Sequence, residues 1–162
     1  MQTRTYGDLF KLASALIGTG GELSDSEQSQ LSHFINRRFS EIFNASPSWP
    51  RYVVVGESRT VIADQIIQTS ESGLSNIGEF VRIHRTRPLL NQSAREYEFY
   101  VSALGAHILN QSSTDEGTAW VTYKQEFTPF TVATDFYNST VEVPGEFFNF
   151  ISHAVYADFL RV

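Results

Sequence analysis

The first part of the chain is apolar at helical spacing. Leu9, Phe10, Leu12, Ala13, Leu16 and Ile17 recur at three- and four-residue steps, so Tyr6 to Ile17 is expected to be a helix. The run Gly18-Thr19-Gly20-Gly21 breaks it. It follows a helix rather than a strand and lacks the Lys-Ser/Thr of a phosphate loop, so it reads as a helix-ending turn. Ser24 followed by Glu27 has the capping-box spacing and opens a second helix. Its apolar stripe runs through Leu31, Phe34, Ile35, Phe39, Ile42 and Phe43. The segment Asn44-Ala45-Ser46-Pro47-Ser48-Trp49-Pro50 stops it, because each proline pushes its predecessor away from helical angles.

From Arg51 the texture changes. Tyr52 to Val55, Thr60 to Ile62, Gln65 to Ile67, Glu79 to Arg85, Tyr97 to Val101, Ala106 to Leu109 and Thr118 to Tyr123 are rich in rings and β-branched residues, as half-buried strands require. Ser102-Ala103-Leu104-Gly105 suits a hairpin, and Ser112 to Gly117 a second, polar turn. Such short connections favour an antiparallel meander over parallel crossovers. An irregular arm, Phe127 to Thr140, leads to a last helix. Pro144 suits its first position and Glu146 its first turn, and Phe147, Phe148, Phe150, Ile151, Val155, Tyr156, Phe159 and Leu160 follow. No Gly or Asn closes this helix. Either the chain continues past Val162, or the surface meets something other than water.

The expected fold is therefore α+β. An N-terminal helix pair and a C-terminal helix pack with a central antiparallel β-meander in one domain, residues 1–162. Its parts are helices at 5–45, a β-rich stretch at 51–126, an arm at 127–141 and a helix at 143–162. A length of 162 residues suffices for one stable core.

Composition narrows the function. The net charge of −6 argues against nucleic acid as a bound partner. With no Cys, disulfides, thiolate metal sites and thiol nucleophiles are excluded. The run Leu12 to Ile17 is too short for a signal core or a membrane span, which points to a soluble protein made in the cytoplasm, with no membrane partner. Charged residues make up 19%, against roughly 25% in an average domain, and aromatics 14%. Either the aromatic core is large, or part of the surface is covered by something other than solvent. Lys11 and Lys124 are the only lysines; the remaining cations are Arg, the residue favoured at protein interfaces.

Candidate chemistry is sparse. His33, His84, His107 and His153 form no i, i+4 zinc pair, and no Gly-x-Ser-x-Gly elbow appears. Asp135, Glu142 and Glu146 are the acids available for a glycosidase-like pair, but solvated acids are the simpler reading. No catalytic residue, cofactor or metal ligand is assigned. Two charges lie on apolar stripes. Arg38 falls near the middle of the second helix's stripe, and Asp158 falls between Phe147, Ile151, Ala154 and Val155 on the last. They either pair across packed helices or reach solvent separately near the helix ends. Arg82, Arg85, Arg87 and Arg95 cluster around Pro88. Strand parity puts Arg85 and Arg87 on one face, if the strand persists that far, and Arg82 on the other. With Phe148 and Phe159 of the last helix, these arginines are the candidate contacts to a partner or to a second copy.

The order of parts resembles a known family. Two amphipathic helices end at Ser46-Pro47-Ser48-Trp49-Pro50. A meander ends in Ala119-Trp120-Val121-Thr122-Tyr123-Lys124, and an arm reaches Val143-Pro144 and an alanine- and aromatic-bearing helix. This is similar to the head-to-tail connector (adaptor, tail tubular) proteins of tailed bacteriophages. The resemblance implies a non-enzymatic virion protein of the head–tail junction. About a dozen copies would form a ring beneath the portal protein, contact the tail or a second neck protein, and let DNA pass without specific binding. Family members commonly continue beyond the last helix, whereas this sequence stops at Val162, so a portal-docking tail is not carried over. Other readings are a tail-completion or tail-terminator protein, a ligand- or carbohydrate-binding module using Trp49, Trp120 and the tyrosines, and a hydrolase using Asp/Glu pairs.

Overall fold

In the computed structural model, residues 2–18, 22–62, 66–90, 94–109 and 117–162 are described. Most of the glycine-rich run (Thr19, Gly20, Gly21), Gln65 and most of the second polar turn lie outside them. The elements follow in the order β1 (Thr3–Thr5), α1 (Tyr6–Ile17), α2 (Asp25–Asn44), β2 (Val53–Ile62), β3 (Ile66–Ile67), β4 (Ile77–His84), β5 (Phe99–Ser102), β6 (Gly105–Ile108), β7 (Thr118–Gln125), β8 (Glu142–Pro144) and α3 (Gly145–Phe159). The class is α+β. The chain divides into two compact units, one of residues 1–46 with 128–162, the other of residues 47–127.

The first unit is helical. Thr5 caps α1 by accepting from the Asp8 amide, and α1 ends where Gly18 turns left-handed with φ 76°. The Ser24–Glu27 capping box starts α2: the Ser24 hydroxyl accepts from the Glu27 amide, and the Glu27 carboxylate accepts from the Ser24 amide at 2.9 Å. That bond holds the Glu27 carboxyl below its ordinary pKa. The buried stripe of α2 is Leu31, Ile35, Phe39 and Phe43, with Phe34 and Ile42 half-buried beside it. Helix α3 buries Phe147, Phe148, Ile151 and Val155 and packs on both α1 and α2.

Two features of this unit were not apparent in the sequence. Glu142–Pro144 is extended and pairs antiparallel with Thr3–Thr5, so Pro144 is the residue before α3 rather than its first helical residue. The arm is also tied down. Phe130 stacks on Phe39 at 4.3 Å between ring centroids, and Phe136 stacks on Phe10 at 5.1 Å. The Asn36 amide both donates to the Phe130 carbonyl (3.1 Å) and accepts from its N–H (2.8 Å). Tyr6 N–H donates to Val141 O at 2.7 Å, and Gly7 N–H to Ser139 O at 3.0 Å. The chain lies so close there that a Cβ on Gly7 would stand 2.6 Å from Tyr137 O.

The second unit is an antiparallel sheet with strand order β4-β7-β2-β3-β6-β5. Only β2–β3 and β5–β6 are neighbours in both sequence and space; β7 inserts between β2 and β4. The two stretches expected at 52–55 and 60–62 are one long strand, β2, which passes from β7 to β3 along its length. A register shift between Val54 and Glu57 marks a bulge around Gly56. Alternation puts Ala119, Val121 and Tyr123 of β7 and Ala106 and Ile108 of β6 into one core with Ile67, Ile77, Ile83 and Tyr97.

Candidate interaction surfaces

Strand β4 ends at His84, so strand parity does not extend to Arg85 and Arg87. Arg82 opposes Thr122 and His84 opposes Trp120, which puts all four on the outer face of the sheet, opposite the buried Val121 and Tyr123. Beyond His84 the chain turns, Pro88 packs beside Gly56, and Arg87 comes to lie 5.8 Å above the Trp120 ring. The condition for Arg85 and Arg87 to share a strand face is therefore not met, and Arg87 lies by Trp120, on the face that carries Arg82. Arg95 lies across from the strand end, where its carbonyl accepts from the Arg85 N–H at 2.9 Å next to a His84–Glu96 bridge. Leu89 and Leu90 follow, 65% and 79% exposed.

At the other edge of the sheet is the hairpin β5–β6. Ser102 pairs with Gly105 across the Ala103-Leu104 turn, where Gly105 has φ 121°. Tyr100 and His107 face each other across the strands and stack at 4.6 Å, and the Ser102 hydroxyl lies 2.7 Å from His107 Nε2. Among the described residues, strand β5 pairs with β6 alone, and Tyr100, Val101, Leu104 and Leu109 are all more than half exposed. An open edge of this kind, carrying apolar side chains, is a place for a partner.

In the helical unit the structure brings Arg38 and Asp158 together. The guanidinium and carboxylate meet fork to fork, Nε to Oδ2 at 2.6 Å and Nη2 to Oδ1 at 2.5 Å, while Nη1 donates to Glu41 at 2.6 Å. Asp158 is 6% exposed, and Arg38 sits at the border of the α2 stripe rather than in its middle. The two hydrogen bonds that Arg38 donates hold the Asp158 carboxyl below the usual carboxylate range, and the accepting carboxylate raises the guanidinium pKa.

The other two interface candidates of α3 have different fates. Phe148 is 1% exposed and lies beneath Arg4, whose guanidinium carbon is 3.8 Å from the ring centroid. The β1–β8 pairing brings Arg4 there, so Phe148 belongs to this unit's own core and offers no surface to a partner. Phe159 is half-buried, whereas Phe150, Leu160 and Val162 remain exposed.

One charged cluster escaped sequence reasoning. Arg59 of β2 is buried in the sheet unit. Its Nη2 donates to Tyr123 Oη at 2.8 Å and to the Ser75 carbonyl, and it pairs with Glu57 at 2.9 Å. The Tyr123 hydroxyl in turn donates to Glu57 at 2.7 Å, and burial raises the Tyr123 pKa. Arg59 Nε and Nη1 are buried without a hydrogen-bond partner. The available signal was parity, since Glu57 and Arg59 share the face of Val61, which packs on the core. Lys124, next along β7 from Tyr123, is also buried, and desolvation lowers its pKa against an opposing pull from Glu79.

The remaining chemical candidates are dispersed. Among the described residues, no group of three or more His, Asp or Glu could hold a metal ion. His33 and His153 are exposed on their helices, and His153 Nδ1 lies 2.8 Å from the Asn149 carbonyl. Asp135 lines a groove of about 300 Å³ together with Asp25, while Glu142 and Glu146 do not. Among the described residues, no helix is long and apolar enough to cross a membrane. In comparison with known proteins, neither a family model nor a curated protein matches the chain.

Proposed function

We propose that this protein is a non-enzymatic structural subunit of a bacteriophage neck. Copies of it form a ring that joins the portal to the tail and continues the DNA channel. The observation that carries the reading is the placing of exposed apolar side chains. Tyr100, Val101, Leu104 and Leu109 crowd one hairpin on an open sheet edge, and Phe150, Leu160 and Val162 mark the outer side and end of α3. Scattered exposed apolar residues are ordinary, but clusters on an unpaired edge strand mark contact surfaces. Repeated head-to-tail contacts cover such patches when the assembly closes.

The order of parts supports the more specific assignment. A capped helix pair, a proline stop, an antiparallel sheet containing Trp120 to Lys124, an arm and a last helix come in this order, an order that resembles that of the connector proteins. A net charge of −6 suits a channel through which DNA slides without sticking. A carbohydrate platform fits less well, because Arg87 lies over the Trp120 ring. Negative-stain electron microscopy tests the proposal, on the protein alone and mixed with the portal protein of the same virion. Rings with a central hole are expected. Single particles in both preparations would contradict it.

A further inference from the structure

Among the described residues, each unit contains one sheet, and the two edges of each sheet differ. In the sheet unit the β4 edge is blunted. It carries the exposed Glu79 and Arg82, and its register with β7 shifts between Ile77 and Glu79 and again between Phe80 and Arg82. Charges and bulges of this kind keep a further strand from adding. The β5 edge has neither: Phe99-Tyr100-Val101-Ser102 is uncharged and runs in unbroken register with β6. Leu109 N–H donates to Glu98 O, so the even-numbered residues of β5 are the ones bonded to β6. The N–H and C=O groups of Phe99 and Val101 therefore point away from β6, along the open edge.

The two-stranded sheet of the helical unit has the same asymmetry. Gly145 N–H donates to Gln2 O and Tyr6 N–H to Val141 O, so the even-numbered backbone of β1 is the part bonded to β8. On β8, Glu142 and Pro144 turn their backbone outward; Glu142 is charged, and Pro144 has no N–H to give. On β1, the backbone of the uncharged Thr3 and Thr5 turns outward. Thr3 is exposed and offers both its N–H and its C=O. Thr5 offers its N–H, because as the N-cap its carbonyl accepts the first bond of α1. One edge of each sheet is thus left ready for a strand: β1 in the helical unit and β5 in the sheet unit.

Resting on the ring reading above, we infer that neighbouring copies join by strand addition, with β1 of one copy pairing antiparallel with β5 of the next. Thr3 lies opposite Val101 and exchanges both backbone hydrogen bonds with it, and the Thr5 N–H donates to the Phe99 carbonyl. This register sets the exposed Arg4 across from Tyr100 and diagonal to the exposed Glu98, while Glu142, opposite Thr5, points to the other face. The added strand covers Tyr100 and Val101, the apolar side chains left exposed along β5. Pairing β5 with a second β5 would end at a two-fold dimer and leave β1 unused. Joining β1 to β5 uses two different patches, so it is heterologous and produces a ring when its rotation closes.

Proline tests this contact separately from ring formation, because it removes a single N–H and is tolerated where that N–H faces away from the strand's own partner. Val101→Pro disables the β5 edge and Thr3→Pro the β1 edge; Val101→Thr keeps the N–H and serves as the control. Circular dichroism verifies that each is folded, and native mass is measured at high protein concentration. The wild type and Val101→Thr are expected to give a ring. Each proline variant alone should fall to the 18.3 kDa monomer. An equimolar mixture of the two should stop at a dimer, since the intact β1 of one meets the intact β5 of the other and the remaining edges are both disabled. A folded proline variant that keeps the ring overturns this contact and leaves the ring reading standing. So does a mixture that stays monomeric, or assembly lost with Val101→Pro but kept with Thr3→Pro, the result expected of a β5–β5 dimer. Amide exchange of the wild type gives a readout that needs no variant. Residues 3–5 and 99–101 should exchange more slowly in the ring than in the dilute monomer, and unchanged exchange in either segment would overturn the inference. A wild type that never assembles, alone or with the portal protein, removes the ring reading and this contact with it.

Discussion

Arg38 of α2 and Asp158 of α3 meet through two parallel hydrogen bonds, with Asp158 almost wholly buried. This pair fastens the last helix to the second across 120 residues of chain. Removing one partner leaves the other charge desolvated and uncompensated, which costs more than the pair's net contribution. Asp158→Ala is expected to lower stability by about 2–3 kcal/mol, somewhat below the range for fully buried pairs because Arg38 stays partly exposed and keeps Glu41. Replacing both residues with apolar ones, Arg38→Met with Asp158→Leu, should cost less than Asp158→Ala alone. Urea unfolding of the three proteins checks the ordering.

The same pair sets an acid dependence. Arg38 lowers the Asp158 pKa in the folded state, so the folded protein binds fewer protons there than the unfolded chain. The stabilisation is fully present above the unfolded carboxylate pKa of about 4 and is lost as pH falls through the lower folded value. Glu27, also lowered, acts in the same direction. Stability should therefore be insensitive to these groups at neutral pH and fall below about pH 4. Asp158→Asn should flatten part of that fall and leave the Glu27 share. Unfolding curves at several acid pH values measure it.

In the sheet unit, Glu57 and Arg59 predict an asymmetry. Arg59 is buried with two nitrogens lacking partners, whereas Glu57 is partly exposed and can be rehydrated. Glu57→Ala leaves a buried guanidinium short of its counter-charge and should cost about 3 kcal/mol. Arg59→Met removes the poorly satisfied charge and fills similar space, so its effect should stay within about 1 kcal/mol of neutral. Equal losses in the two variants would show that Arg59 is better satisfied than its hydrogen bonds indicate.

Gly105 closes the β5–β6 hairpin at φ 121°, where a Cβ would collide with the Ile67 carbonyl oxygen. Both the backbone angle and the contact with β3 exclude a side chain. Gly105→Ala is expected to lose more than about 2 kcal/mol and to raise amide exchange in β5 and β6 first. The neighbouring Ala103→Gly, in the exposed turn, should change stability by no more than about 0.5 kcal/mol.

What could be read from the sequence was local. The capping box at Ser24 and Glu27, the helical stripes, the Ser102–Gly105 hairpin and β7 are written in spacings of a few residues, and the helical wheel placed Arg38 and Asp158 on apolar faces. The rest depends on residues far apart in the chain. β1 and β8 are three residues each, too short for a periodic signal, yet their pairing makes Pro144 extended and carries Arg4 over Phe148. Phe130 and Phe136 read only as parts of an irregular arm because their partners, Phe39 and Phe10, come from α2 and α1. Arg87 returns to Trp120 through a turn that parity along β4 cannot describe. Arg59 was hidden because a charged residue within a strand reads as outward unless its buried partners are known.

Native mass spectrometry of the full chain, at high protein concentration and in the presence of its portal protein, tests the ring most directly. A closed species of about a dozen copies of the 18.3 kDa chain is expected, with no ladder of open intermediates. A single 18.3 kDa species under both conditions would contradict it.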